Sequence, residues 1–241
     1  MCKPRRAALS ALALWLGLMC AAGSSRPAAA QAVKTAQAAK PARAAQPVEA
    51  PPETVTRMAD WVIGSGDHSG LPFVIIDKVA ARIFVYRADG QLRGAGPALL
   101  GYARGDNSTP GVGDRELSAI RPSDRTTPAG RFVASFGSAS GQRRVLWVDY
   151  PTAISLHAVV TAHPKERRPQ RLRSATPRDN RITYGCINVS AAFYEKVVRP
   201  TFRASGGIVY ILPEKKPLKE VFPAFRVLTS TAPTGDRASG A

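Results

Sequence analysis

Between residues 54 and 228 the apolar residues come in short runs rich in β-branched and aromatic side chains, and most runs close on a glycine, a proline or an aspartate. Such punctuation leaves room for strands and little room for long helices. The runs Pro72-Phe73-Val74-Ile75-Ile76-Asp77 and Arg82-Ile83-Phe84-Val85-Tyr86 are separated by four residues, so they predict a hairpin. Asp89-Gly90 marks the next turn, and a third strand is expected over Leu92 to Leu100. Further strands are expected over Gly130 to Phe136, Arg144 to Tyr150, Ile154 to Ala158 and Gly207 to Leu212. Only two helices are expected, one over Glu53 to Val62 and one over Ser190 to Arg199 with Ser190 as its N-cap. The expected fold is mainly β: a sandwich or barrel-like sheet with one or two short helices.

The two ends have a different character. Lys3, Arg5 and Arg6 precede an apolar stretch from Ala7 to Ala22, and Ala28-Ala29-Ala30 offers a small-residue cleavage site, so residues 1–32 read as a secretory signal peptide. The stretch is short and alanine-rich for a full span, and no stable membrane span is expected once it is cleaved. Residues 33–53 are Ala, Pro, Gln and Lys with almost nothing to bury, which predicts a flexible linker. Residues 229–241 predict a disordered tail. The 54–228 segment, about 175 residues, suits a single domain with one sizeable core.

The full chain carries a formal charge of +17, of which four positive charges and no acid lie in the leader, leaving +13. For an exported protein, in the periplasm or cell-wall space, that excess points to cell-wall polymers, carboxylate-bearing peptides or acidic head groups. Solubility alone explains such a charge equally well. No helix-turn-helix, zinc-finger or aromatic RNA-binding pattern is present, which argues against nucleic acid. No His, Asp or Cys spacing fits a metal site, and no cofactor is expected.

Cys2 and Cys20 fall in the leader, so Cys186 is the one cysteine of the mature chain and has no partner for an internal disulfide. A lone thiol in an oxidising compartment is a liability unless it is buried or used. Gly185 before it and the expected helix after it suit a presented nucleophile. The helix would direct its positive end toward Gly185-Cys186-Ile187. A base must take the thiol proton, and the chain has three histidines: His68, His157 and His163. His157 ends the run Ala153-Ile154-Ser155-Leu156, at the end of a strand, and is favoured. His163, in a long loop, is the competitor. Two loops are long for such a domain: Tyr102 to Arg125, and the Arg- and Pro-rich Val159 to Arg181, which leads into the cysteine. The latter, from His163 onward, is expected to act as a basic lid.

The ordered set Ile75-Ile76-Asp77, Phe84-Val85-Tyr86, Thr127-Pro128-Ala129-Gly130, His157 and Thr183-Tyr184-Gly185-Cys186-Ile187-Asn188 resembles the catalytic domain of the L,D-transpeptidases, over roughly Leu71 to Pro213. That family's motif is an upstream histidine followed by Ser/Thr-His-Gly-Cys, an apolar residue and Arg or Asn. Three departures stand out. Tyr184 replaces the usual histidine, Ala158 follows His157 where a glycine or small polar residue is common, and the gap from His157 to Cys186 is long, as if a basic loop had been inserted.

The resemblance implies that Cys186 attacks a peptidoglycan stem peptide to form a thioester, with His157 as base and N–H groups at Gly185 and Cys186 holding the oxyanion. An amine then resolves the thioester, on another stem peptide or on an envelope protein. Thr183, Tyr184 and Asn188 would lie against the substrate, and Arg173, Arg181 and Asn188 would meet its carboxylates. Two alternatives remain open: hydrolysis of the same thioester, which makes an L,D-carboxypeptidase, and a wall-binding module without turnover.

Overall fold

The computed structural model describes residues 50–139 and 143–225. The signal peptide, nearly all of the linker and the tail expected from sequence lie outside these residues. The domain is mainly β, as expected. Among the described residues ten strands occur in chain order: β1 (Phe73–Asp77), β2 (Arg82–Tyr86), β3 (Leu92–Pro97), β4 (Leu100–Gly101), β5 (Gly130–Ala139), β6 (Arg143–Asp149), β7 (Ile154–Ala158), β8 (Arg181–Thr183), β9 (Ile187–Val189) and β10 (Gly207–Ile211). Eight of them form one sheet in the order β3-β2-β1-β10-β5-β6-β7-β9, while β4 and β8 make a separate parallel pair.

β1 and β2 pair antiparallel, Phe73 opposite Tyr86 through Asp77 opposite Arg82, so the expected hairpin is present. Every residue of Gly207–Ile211 is buried, because both faces of the sheet are covered there. Side-chain alternation divides the core in two. Phe73 and Ile75 point to a cluster with Met58, Trp61, Tyr86, Tyr210 and Phe225. Val74 and Ile76 point to the other, with Leu146, Leu156, Ile187, Tyr194 and Phe202.

Helix α1 (Glu53–Ser65) covers the first cluster with Val55, Met58, Ala59, Trp61 and Val62, a spacing that keeps one stripe inward. Gly66 ends it in the left-handed conformation at φ 68°, its N–H bonded to the Ile63 carbonyl. The His68 ring lies between two carbonyls, those of Val62 and Ala88, at 3.1 and 3.0 Å, and so links the end of α1 to the turn after β2. α2 (Arg168–Arg171) is a single turn within the basic loop. The second expected helix is also present but interrupted: α3 (Ala191–Phe193), a π-helical turn over Tyr194–Val198 and α4 (Arg199–Phe202) run in succession. Ser190 caps the series, its Oγ accepting from the Phe193 N–H at 3.2 Å. α5 (Leu218–Val221) closes the described chain. No helix among the described residues is long and apolar enough to cross a membrane.

The structure changes one sequence expectation about this region. A strand, β9, stands between Cys186 and the helix that starts after Ser190, so the helix does not abut the thiol. The influence of a helix end fades within a turn, and the thiol must draw its activation from elsewhere.

A closed ionic joint lies under the two long loops. Lys78 is fully buried and its Nζ donates to Asp106 Oδ1 at 2.7 Å, to the Gly105 carbonyl and to the Thr127 carbonyl. Asp106 also accepts from the N–H groups of Glu214, Lys215 and Lys216 at 2.9, 2.8 and 2.7 Å. Burial acts to raise the Asp106 carboxyl, but Lys78 and these three amides outweigh it and hold it at about 2.

Candidate active site

β7 and β9 run parallel, with Leu156 opposite Ile187 and His157 opposite Asn188. Leu156, Ile187 and Val189 are fully buried in the core, so the alternate residues must face the other way. The same parity adds Ser155 from β7 and Cys186, the residue just before β9. Ser155, His157, Cys186 and Asn188 therefore share one face of two neighbouring strands. Burying a Leu or Ile side chain is worth about 1.5–3 kcal/mol, and that anchorage underneath fixes the register on top.

The Cys186 thiol is partly buried. Its Sγ lies 3.6 Å from Ser155 Oγ and 3.5 Å from the Ala153 carbonyl. Burial works to raise its pKa, but the adjacent His157 and hydrogen bonds from Ser155 prevail and lower it from its ordinary value. His157 Nδ1 lies 2.8 Å from the carbonyl of Ala158, and Nε2 lies 2.9 Å from Asn188 Nδ2. The orienting group for the imidazole is thus the backbone carbonyl of the next residue, so Ala158 in place of a polar side chain costs the ring nothing.

The turn that presents the thiol is built by threonines. Thr183 Oγ1 donates to the Cys186 carbonyl at 2.7 Å and accepts from the Gly185 N–H at 3.1 Å. Thr127, from the Thr-Pro-Ala-Gly turn, donates to the Gly185 carbonyl at 2.7 Å and accepts from the Gly101 N–H at 2.8 Å. Gly185 has φ 135°, and a Cβ there would come within 2.5 Å of Ile154 Cδ1 and 2.8 Å of the Thr126 carbonyl, so glycine is required twice over.

These contacts reassign several residues singled out from the sequence. The Gly185 N–H is occupied by Thr183, which leaves the Cys186 N–H as the donor at the turn; no partner for it lies among the described residues. Thr183 is buried and spent on the turn. Asn188 is buried too, and its Oδ1 accepts from Arg168 at 2.8 Å, so its carboxamide is engaged between His157 and the basic loop. Arg181 does not reach the site: its guanidinium pairs with both oxygens of Glu214 at 3.1 and 2.7 Å and with the Lys78 carbonyl, as part of the ionic joint. Tyr184 is half-buried with the Arg125 guanidinium 4.0 Å above its ring. Arg173 is exposed and makes no side-chain hydrogen bond or ion pair among the described residues.

His163 stands exposed at the start of the 3₁₀ turn Pro164–Glu166 and is not among the groups acting on the thiol. The basic loop is ordered rather than open. Arg171 braces it internally by donating to the carbonyls of Glu166 and Asp179 at 2.9 and 2.7 Å. Sequence reading missed Ser155, Thr127 and Arg168 as parts of the site. Ser155 was legible through its parity with His157; the other two act through tertiary contacts. Among the described residues no cluster of three His, Cys, Asp or Glu side chains is placed to hold a metal.

No family model matches the chain, and no curated protein matches it. Among solved structures it is similar to an LD transpeptidase, LdtMt1, in complex with imipenem, at 17% identity and TM-score 0.31 over 58% of each chain. The chain thus aligns with little more than half of that protein. It is also similar to the catalytic domain of the E. faecium L,D-transpeptidase determined by NMR, at 14% identity and TM-score 0.34 over 58% of this chain and 96% of that one.

Proposed function

We propose that this protein is an exported cysteine acyltransferase of the L,D-transpeptidase type, acting on peptidoglycan stem peptides. The observation that carries the reading is the shared strand face on which His157 lowers the pKa of the Cys186 thiol. The Thr183-x-Gly185-Cys186-x-Asn188 spacing with an upstream histidine supports it, since that is the family's motif apart from Tyr184.

In this mechanism the thiol proton passes to His157 Nε2, the nitrogen not committed to the Ala158 carbonyl, and displaces the Asn188 N–H that its lone pair accepts in the resting site. The thiolate attacks the carbonyl carbon of the third stem residue, and the Cys186 N–H receives the developing oxyanion. The bond to the terminal D-alanine breaks, His157 returns the proton to the departing amine, and a thioester remains on Cys186. An acceptor amine then attacks the thioester, gives its proton to His157 and restores the thiol. A stem-peptide amine, a lysine of an envelope protein and water are the acceptors to compare.

Incubation with a defined stem tetrapeptide, followed by mass spectrometry of the intact protein, tests the reading. The expected result is a mass gain of the tripeptide acyl group on the wild type and none on Cys186→Ala. Products formed with and without an added amine then separate transfer from hydrolysis. Imipenem, the ligand of the LdtMt1 structure, is expected to acylate Cys186 as well. A mapped adduct on another residue, or no adduct with either reagent, would falsify the assignment.

A further inference from the structure

The basic loop reaches the active-site face through one side chain. Glu166 Oε2 accepts from Arg168 Nε at 2.5 Å, and Arg168 Nη1 donates to Asn188 Oδ1 at 2.8 Å. Asn188 Nδ2 meets His157 Nε2 at 2.9 Å, and His157 Nδ1 meets the Ala158 carbonyl at 2.8 Å. Every proton in this chain is dictated by the one before it. A guanidinium has donors only, so the oxygen of the Asn188 carboxamide must face Arg168. That turns the carboxamide nitrogen, again a donor only, toward Nε2. An imidazole nitrogen facing a donor must offer its lone pair, so the ring proton belongs on Nδ1, where the Ala158 carbonyl accepts it.

From this we infer that Glu166 and Arg168 are positioning residues that hold His157 in its Nδ1–H tautomer through Asn188, so that the basic loop keeps the ring proton off Nε2, whose lone pair the Asn188 N–H holds until the thiol proton displaces it. Without the guanidinium, the Asn188 carboxamide is free to turn over. Its oxygen would then face Nε2 and draw the ring proton to the nitrogen that has to accept the thiol proton. Arg168 is only 12% exposed and Asn188 1%, so water competes poorly for these groups. The basic insertion, on this account, is part of the base and not a solvated surface.

The inference rests on His157 being the base, and the test separates the two. Imidazole ¹⁵N shifts of His157, assigned by comparison with His157→Ala, report which nitrogen carries the proton, and alkylation of Cys186 by iodoacetamide at neutral pH reports activation of the thiol. The wild type is expected to show the Nδ1–H form. Arg168→Met is expected to move the shifts toward the Nε2–H form and to slow alkylation by about tenfold or more, with thermal stability retained. Arg168→Lys, which keeps a donor for Asn188 Oδ1, is expected to recover much of both signals. Asn188→Asp is expected to place a proton on Nε2 outright. If His157→Ala slows alkylation while Arg168→Met changes neither shifts nor rate, the inference fails and the base assignment stands. If His157→Ala leaves alkylation unchanged, the base assignment itself fails.

Discussion

Two charged networks flank the same short segment of chain, one at each end. At Arg181 the segment enters the ionic joint of Lys78, Asp106 and Glu214, whose side chains are at most 6% exposed including that of Arg181. At Asn188 it enters the chain from His157 to Arg168 and Glu166, which reaches partial exposure at Glu166. The first network closes on itself, with Asp106 taking four hydrogen bonds. The second ends on a thiol whose contacts with Ser155 Oγ and the Ala153 carbonyl are 3.5 Å or longer. Closed charge sets geometry, while an open end is what chemistry can use. The joint also feeds the site mechanically: Lys78 holds the Thr127 carbonyl, and Thr127 holds Gly185.

The largest way to break this contrast is Lys78→Met. Removing one partner of a buried pair leaves the Asp106 carboxylate without its cation, while Glu214 keeps Arg181, and such losses cost about 3–5 kcal/mol. Denaturant unfolding is expected to show that loss, with the loops that carry the Thr127 turn loosened. A change within about 0.5 kcal/mol would mean that the joint contributes nothing to the fold.

Acid provides a second, graded test of the joint. The Asp106 carboxyl is at about 2 in the folded protein against roughly 3.9 in an unfolded chain, so its stabilisation is complete above the unfolded value and is lost as pH falls from about 4 toward 2. Unfolding measured over that window is expected to steepen for the wild type and to be flatter for Asp106→Asn, from a lower starting stability.

Thr127→Val sharpens the link between the networks. It removes a donor to the Gly185 carbonyl and an acceptor for the Gly101 N–H, at about 1–3 kcal/mol for each buried group left unpaired. Cys186 alkylation is expected to slow more than stability loss alone explains, because the turn that aims the thiol has lost its brace. A stability loss with an unchanged alkylation rate would confine Thr127 to the joint.

The legible and illegible parts of the sequence divide along the same line. β1, β2 and β10 are continuous runs of β-branched and aromatic residues, and their bounds differ from the expected ones by at most a residue. β8 and β9 are three residues each on either side of a Gly-Cys turn, too short for any periodicity, so the segment reads as a loop leading to a helix. The same blind spot produced the expectation of a helix end at the thiol. Cys186 and His157 stand out because cysteine and histidine are scarce here. Arg168 does not, since it is one of 34 Lys and Arg residues, and which arginine meets Asn188 is decided by folding. Arg181 illustrates the converse: it adjoins the motif in sequence, yet Glu214, 33 residues away, claims it.

The central claim is that His157 activates Cys186 at this strand face, and the pH dependence of Cys186 alkylation in the wild type and in His157→Ala tests it most directly. The account predicts a wild-type midpoint below the usual free-thiol value of about 8.5, moving upward when the imidazole is removed. Coincident midpoints for the two proteins, or a wild-type thiol that ionises no more readily than a free cysteine, would contradict it.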